Sequence, residues 1–464
     1  MTFLRSLIVA AAACATAAGA AAACPGPAPA SSPQTADGVA FKVLLNGLAR
    51  PRGVVMDGEG NLLVVEAKGK GVTRVVLDDG AGLDVCVSSS AQLISDGTLN
   101  HGIALSGDGK TLFVSSGSDA YAYPYDAASG TVGEPRHVLG GMQQGGHVSR
   151  TLLVPRHNPE LLLVSRGSDG NIDEETAEIG SGRSQLRAFT IADLVKDGAG
   201  AVEYTSGAVL GWGLRNSVGV ADDPSNGHIW TVENSIDNMK RGSDDIHNSN
   251  PGEELNYHGA PNDTASAQYG RNYGYPGCVA IYDPSNVKDF SASSGGPKVG
   301  LQMTGDHIAG YTDDWCRDNA TAPRLTFGSH LAPLDIKFLP DGSAALIAFH
   351  GSWNRQPPNG YRLSRVTFGA DGQPVARADS ADAEEKLLWN ADNAECPGGC
   401  FRPVGLWTDE GKGAAGRVFM TSDSSGELFV VTGVGSKAKG TGGGGEDVTS
   451  GAERMRKQFG GFFW

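Results

Sequence analysis

Six polar positions share one local setting, each standing just ahead of a short apolar run: Arg52, His101, His147, Arg215 with Asn216, His330 and Arg402. Three guanidiniums brought together would suit an anion with several carboxylates or phosphates, which arginine grips in bidentate fashion. The histidines add a candidate general base. A second group, Glu233-Asn234-Ser235-Ile236-Asp237-Asn238 with Asp244 and Asp245 soon after, is rich in oxygen. Such a loop suits a hard cation held by carboxylates and backbone carbonyls, although it lacks EF-hand spacing. Any one of these residues could instead cap its own strand or pair with an acid, and the acidic run alone could be an ordinary turn. Six equivalent placements favour convergence on a ligand.

Convergence needs a scaffold that returns the chain to one point six times, and the sequence supplies a repeat. A short apolar strand, a turn of the Asp-Gly kind and a second apolar strand recur from Arg50, Asn100, His147, Arg215, His330 and Phe401. Further strands follow each copy, such as 71–77, 185–190, 362–368 and 427–432. Repeats of this length with several strands each predict an all-β, six-bladed β-propeller. In that fold the innermost strands line a central channel, and their first residues gather at one mouth. The copies are 68 residues apart between the third and fourth and 115 between the fourth and fifth. Long loops over 263–323 are therefore expected on one rim, where binding faces form. A pair of β-sandwiches is the rival architecture, and the repeat argues against it.

Composition is consistent with many strands and tight turns. Glycine is 67 of 464 residues, and 40% of the chain is hydrophobic. The net charge of −15 argues against nucleic acid and anionic lipid as partners. The N-terminus has a positive Arg5, an apolar stretch over 7–15 and small residues to Ala23, which reads as a secretory signal peptide over 1–23. A membrane anchor is the alternative, weakened by the alanine-rich, feebly hydrophobic composition. The propeller is expected over 24–434 and a glycine-rich tail over 435–464. Six cysteines follow the leader, and an even number in a secreted chain implies disulfides, with 15 possible connectivities. Proximity favours Cys396–Cys400 and Cys278–Cys316, leaving Cys24–Cys86. Zinc is the rival for the CPGGC run, but no second pair or histidine lies near it. Asn262 and Asn319 begin glycosylation sequons.

The stretches GLARPRGVV, GGHVSRTLLV, WGLRNSVGVADDP, NPGEELNYHG, GRNYGYPGC, FHGSWNRQPPNGYRLSRV and CFRPVGLW resemble the quinoprotein sugar dehydrogenases, and most of all the fungal pyrroloquinoline quinone (PQQ)-dependent pyranose dehydrogenases. The likeness runs from about Val39 to Val434. It implies a six-bladed propeller with PQQ over the channel mouth, whose three carboxylates would answer the arginines. It also implies that His147 is the catalytic histidine and that Arg215 acts on the cofactor with Asn216. Arg402 and Arg52 become carboxylate-binding arginines. His350 stands where soluble glucose dehydrogenase has a lysine, and His101, Tyr273 and Trp353 join the cofactor or sugar pocket. Ca²⁺ would sit at Ser235 and Ile236 with Asp237 adjacent.

Some fungal relatives carry a cytochrome domain and a cellulose-binding module. The spacing here leaves room for neither, so electrons are expected to pass to a separate acceptor of the cytochrome type, with a copper monooxygenase downstream. The implied reaction is oxidation of a sugar C–OH, at the anomeric carbon, in a secreted enzyme. Two other functions compete: a calcium-dependent propeller lactonase or esterase, and a non-catalytic propeller that binds a secreted partner.

Overall fold

The computed structural model describes residues 24–143, 145–290, 295–409 and 416–435. The expected signal peptide, and the tail from residue 436 onward, lie outside the described residues. Six sheets of mainly antiparallel strands surround one axis, with inner strands Pro51–Met56, Leu99–Leu105, Leu152–Leu153, Ser217–Asp222, Pro333–Phe338 and Pro403–Asp409. Each inner strand touches the next and the last returns to the first, so the ring is closed. We number the blades 1 to 6 by these strands.

Closure uses the N-terminal segment. Ala40–Leu45 pairs with Glu427–Thr432 and completes blade 6, while Pro33–Thr35 pairs with Glu385–Asn390 at the rim of blade 5. An early strand and the last described strand thus share a sheet, and backbone groups that would form a free edge are paired.

Apolar side chains cluster between successive blades. Leu63 and Val65 of blade 1 meet Leu112 and Val114 of blade 2, and Leu346 and Leu363 of blade 5 meet Met420 and Phe429 of blade 6. Both faces of a sheet are therefore covered. This is why runs such as LLVV and AALIAF are apolar throughout instead of alternating. Glycine has a specific task at the axis. A Cβ on Gly53, Gly102 or Gly405 would collide with the carbonyl of His101, Arg150 or Arg52 on the neighbouring segment, so only glycine lets these strands approach so closely.

The insertion expected over 263–323 leaves blade 4 between Glu253–Gly259 and Leu325–Phe327. Tyr275, Val279, Ile281 and Met303 pack against Ile236, Met239 and Ile246 of the loop that follows the second strand of blade 4. The helix Asp313–Asn319 is capped by Thr312, whose Oγ1 accepts from Trp315 N at 3.1 Å, and Cys316 of that helix bonds Cys278. The other disulfides are Cys24–Cys86 and Cys396–Cys400, completing the expected set. Asn262 and Asn319 are exposed. Among the described residues no helix is long and apolar enough to cross a membrane.

Candidate active site

In an antiparallel blade the first residues of the inner strand and the last residues of the second strand meet at the same end of the channel. A pocket of about 200 Å³ opens there. It is lined by His147, Arg215, Asn216, Asn234, Ser235, Asp237, Glu253, His330, His350, Trp353 and Arg402, among others. Most of the expected residues are therefore brought together. The exceptions are Tyr273, Ile236, His101 and Arg52.

Tyr273 does not wall the pocket. It is 1% exposed, its hydroxyl donates to Tyr257 O at 2.6 Å, and its ring packs on His258 between blades 3 and 4. The insertion adds Arg271–Asn272 as an outer strand of blade 3, and Tyr273, the next residue, enters the core cluster shared with Leu186 and Ile229. The Ile236 side chain is likewise core, so that residue has only backbone to offer a ligand. His101 lies beneath the pocket, 4% exposed, where its Nδ1 accepts from Arg52 Nε at 3.3 Å. It faces a second cavity of about 360 Å³ down the channel, lined also by Asp222, Asp335, Lys337 and Trp407.

The three arginines of the funnel differ in kind. Arg215 is 3% exposed and is held through all three guanidinium nitrogens. Its Nε and Nη2 donate to Asn171 O and Oδ1 at 3.1 and 2.9 Å, its Nη1 to Asn234 O at 3.1 Å, and its Nη2 also to Asp237 Oδ2 at 3.1 Å. Arg52 Nη1 donates to Asp423 Oδ2 at 3.0 Å. Arg402 alone lacks a carboxylate partner. Its Nε and Nη2 donate to the carbonyls of His350 and Gly351, both at 3.0 Å, and its guanidinium lies 5.6 Å over the Tyr361 ring. Nη1 of Arg402 has no hydrogen bond among the described residues. The cation left for an anionic ligand is thus chiefly Arg402, because Asp237 and Asp423 already balance the other two.

Asp237, expected beside a metal, is instead committed to the protein. Besides Arg215, its Oδ1 lies 3.4 Å from His330 Nδ1. Burial alone would raise this carboxyl, but the His330 and Arg215 contacts outweigh it and hold it below the usual range. His350 Nε2 donates to Asp423 Oδ1 at 2.8 Å. Burial pulls His350 down to about 4, so the ring is neutral near pH 7 and Arg52 supplies the charge that answers Asp423.

His147 has the geometry of a base. Its ring Nδ1 lies 3.0 Å from Ser168 O and 2.9 Å from Ser168 Oγ. A carbonyl only accepts, and the hydroxyl is already donating to Gly170 O at 2.7 Å. Nδ1 must therefore carry the proton, which leaves the Nε2 lone pair free. Burial, aided by the nearby Arg215 charge, brings the ring down to about 4, so it is neutral at ordinary pH.

Several residues of the site had not been expected. Glu253, in NPGEELNYHG, lies on the pocket floor, where Oε2 accepts from Ser235 N at 2.8 Å and Oε1 from Ala332 N at 3.2 Å. Asn171 and Ser168 come from the loop after the second strand of blade 3, and Asp423 follows the second strand of blade 6. A signal did exist: once six hairpins are recognised, the residue after each second strand must share the mouth with the residue before each first strand.

The TrAA12-like family model matches residues 33–434. A pyrroloquinoline quinone-dependent sugar dehydrogenase of Hypocrea jecorina is 43% identical over 403 residues, 86% of this chain and 89% of that protein. A pyrroloquinoline quinone-dependent pyranose dehydrogenase of Coprinopsis cinerea is 40% identical over 411 residues, 85% of this chain but only 54% of that longer protein. Among solved structures, a calcium structure of a Trichoderma reesei carbohydrate-active enzyme of family AA12 superposes with a TM-score of 0.82 at 43% identity, covering 87% of this chain and 97% of that one. The holo form of the PQQ domain of the Coprinopsis cinerea pyranose dehydrogenase gives 0.80 at 39%, covering 88% and 99%. With matches of this extent over the whole propeller, the chain belongs to the TrAA12-like family.

Proposed function

We propose that the protein is a secreted quinoprotein oxidoreductase that oxidises pyranose sugars or related aldoses at the anomeric carbon, using PQQ and Ca²⁺ and passing electrons to a separate cytochrome-type acceptor. The observation that carries this reading is the pairing of a neutral His147, Nε2 free, with the carboxylate-free Arg402 in one pocket at the channel mouth of a TrAA12-like propeller. The residues fit the cofactor. Arg402 retains an unused Nη1 toward an anionic edge, and Asn216 and Ser235 line the same cavity. Held there, PQQ supplies the two-electron, hydride-accepting chemistry.

The chain does the rest. His147 Nε2 takes the proton from the sugar hydroxyl, and Ser168 keeps the ring in the tautomer that allows it. Arg215, rigidly held by Asn171 and Asp237, presents a fixed positive end where oxygen charge develops. Trp353, 71% exposed at the rim, offers a flat face to a pyranose ring. Backbone carbonyls of Ser235 and Ile236 are the oxygens offered to a divalent cation, with Glu253 bracing Ser235 from behind. Secretion is supported by the leader-like N-terminus and by the three disulfides.

The lactonase alternative needs carboxylates converging on a channel cation. Among the described residues no group of three or more His, Cys, Asp or Glu side chains is placed to hold one. Titrating PQQ into the protein with Ca²⁺ or with EDTA, followed by a sugar panel with a dye acceptor, tests the proposal. Tight binding only with Ca²⁺ and dye reduction by aldoses are expected. Equal PQQ affinity in EDTA would remove the cation, and no binding at all would favour the non-catalytic propeller. His147→Ala should keep PQQ bound and cost about 10²–10⁴-fold in turnover.

A further inference from the structure

We propose that Arg150 is a positioning residue for His147: its buried guanidinium fixes the loop that carries the imidazole and so fixes which ring nitrogen is left free. Arg150 is 1% exposed. A buried arginine ordinarily sits against a carboxylate, because its charge is costly to desolvate. Among the described residues this one has no ion-pair partner. Its terminal nitrogens donate to main-chain carbonyls instead, Nη1 to His147 O at 2.7 Å and Ser149 O at 2.9 Å, and Nη2 to Gln143 O at 2.9 Å, while the buried Nε has no partner among the described residues. All three acceptors belong to one short loop, the loop that holds His147. Gln143 adopts φ +47°, a left-handed conformation that a non-glycine residue holds only when its surroundings enforce it.

The ring is clamped from the other side as well. His147 N donates to Ser168 O at 3.1 Å, the atom that also meets Nδ1. A Cβ at Gly167 would strike both the His147 Cβ and the Asn216 Oδ1, so the imidazole has no room to slide along that wall. With Ser168 fixed and the loop carbonyls fixed by Arg150, Nδ1 stays in register with its acceptor. Without the guanidinium fork, three carbonyls would lose their donors together, and the loop would be free to turn the ring.

Arg150 also places a permanent charge beside His147. The charged and titratable groups lining the two cavities that His147 faces are Arg215, Asp237, Glu253, His330, His350 and Arg402 at the mouth, and Arg166, Arg183 and Asp169 on blade 3. Burial is the main cause that keeps the ring neutral. Arg215 and Arg150 act in the same direction and Asp237 against it.

This inference rests on His147 as the base of the proposed reaction, and the test keeps the two apart. The full-length protein, without added cofactor, is followed by ¹⁵N NMR of its imidazoles, with His147 assigned through His147→Gln. Arg150→Lys keeps the charge and loses the planar fork, whereas Arg150→Met loses both. The wild type should carry its neutral-form proton on Nδ1 and titrate far below an ordinary histidine. Arg150→Lys should show mixed tautomers at a similarly low titration point. Arg150→Met should add an upward move of about half a pH unit or more. Loaded with PQQ and Ca²⁺, both variants should lose up to about 10²-fold in turnover with little change in the sugar KM. An unchanged tautomer in Arg150→Lys overturns the positioning role, and that variant decides alone if Arg150→Met fails to fold. A disturbed tautomer with normal turnover upholds Arg150 and removes His147 as the base.

Discussion

Asp423→Asn preserves shape while removing the one carboxylate that answers Arg52. Asp423 is buried, with Arg52 Nη1 at 3.0 Å, His350 Nε2 at 2.8 Å and the more distant Arg50 Nη2 at 3.9 Å. Burial alone would raise its pKa, but the His350 hydrogen bond and the Arg52 charge hold it well below the usual carboxylate range. The Arg52 side chain is only 11% exposed, so after the substitution its charge stays in a place that water reaches poorly. Breaking a buried pair by removing one partner costs about 3–5 kcal/mol. Unfolding entropy is about 2.1 cal/mol/K per residue, so about 400 ordered residues give about 0.8 kcal/mol/K and a Tm lower by about 4–6 °C. Scanning calorimetry of the cofactor-free protein reads this directly. The pH dependence has a definite sign. The folded-state pKa is depressed, so the wild-type advantage is fully present above the ordinary carboxylate range and fades as pH falls through the folded value. A Tm within a degree of wild type at pH 7 would refute the reasoning, since it would mean that Arg52 finds equal solvation without Asp423.

Arg402→Ala should raise the PQQ dissociation constant about 10- to 150-fold, the loss of a charge-assisted contact of roughly 1.5–3 kcal/mol, measured by fluorescence titration. Because Arg402 is held by two carbonyls and the Tyr361 ring and not by Asp423, the apo-protein Tm should fall by less than in Asp423→Asn. If His147 is the base, kcat/KM should stay level from neutral pH down to about 5 and fall below it with a midpoint near 4, since the ring must be unprotonated to act. A midpoint above 6 would contradict the buried environment described for it. Cys278→Ser with Cys316→Ser removes a link worth about 2–4 kcal/mol and should make the 260–324 insertion the first site of limited proteolysis. A digestion pattern unchanged from wild type would show that packing against Ile236 and Met239 suffices.

The sequence by itself determined the blade number, because each hairpin must bury two apolar strands between neighbours and announces this as a repeat. It also determined most of the side chains that reach the mouth. Of the residues that open the inner strands, His147, Arg215, Asn216, His330 and Arg402 line the pocket, whereas Arg52 and His101 lie within their strands and are held below it. The disulfide pairs followed from proximity. What only the tertiary structure decided is who is partnered with whom. Arg52, Arg215 and Arg402 look equivalent along the chain, yet two are balanced by Asp423 and Asp237 and the third meets carbonyls and a ring but no carboxylate. Those acids come from the ends of second strands, 371 residues away from Arg52 in one case and 22 away from Arg215 in the other, and nothing local announces them. Tyr273 shows the opposite failure. The family resemblance implied a place in the pocket, but Tyr273 follows a two-residue strand added to blade 3 into the core. A side chain's direction depends on sheet register, and register in an irregular insertion is settled by packing across blades, which no single segment encodes.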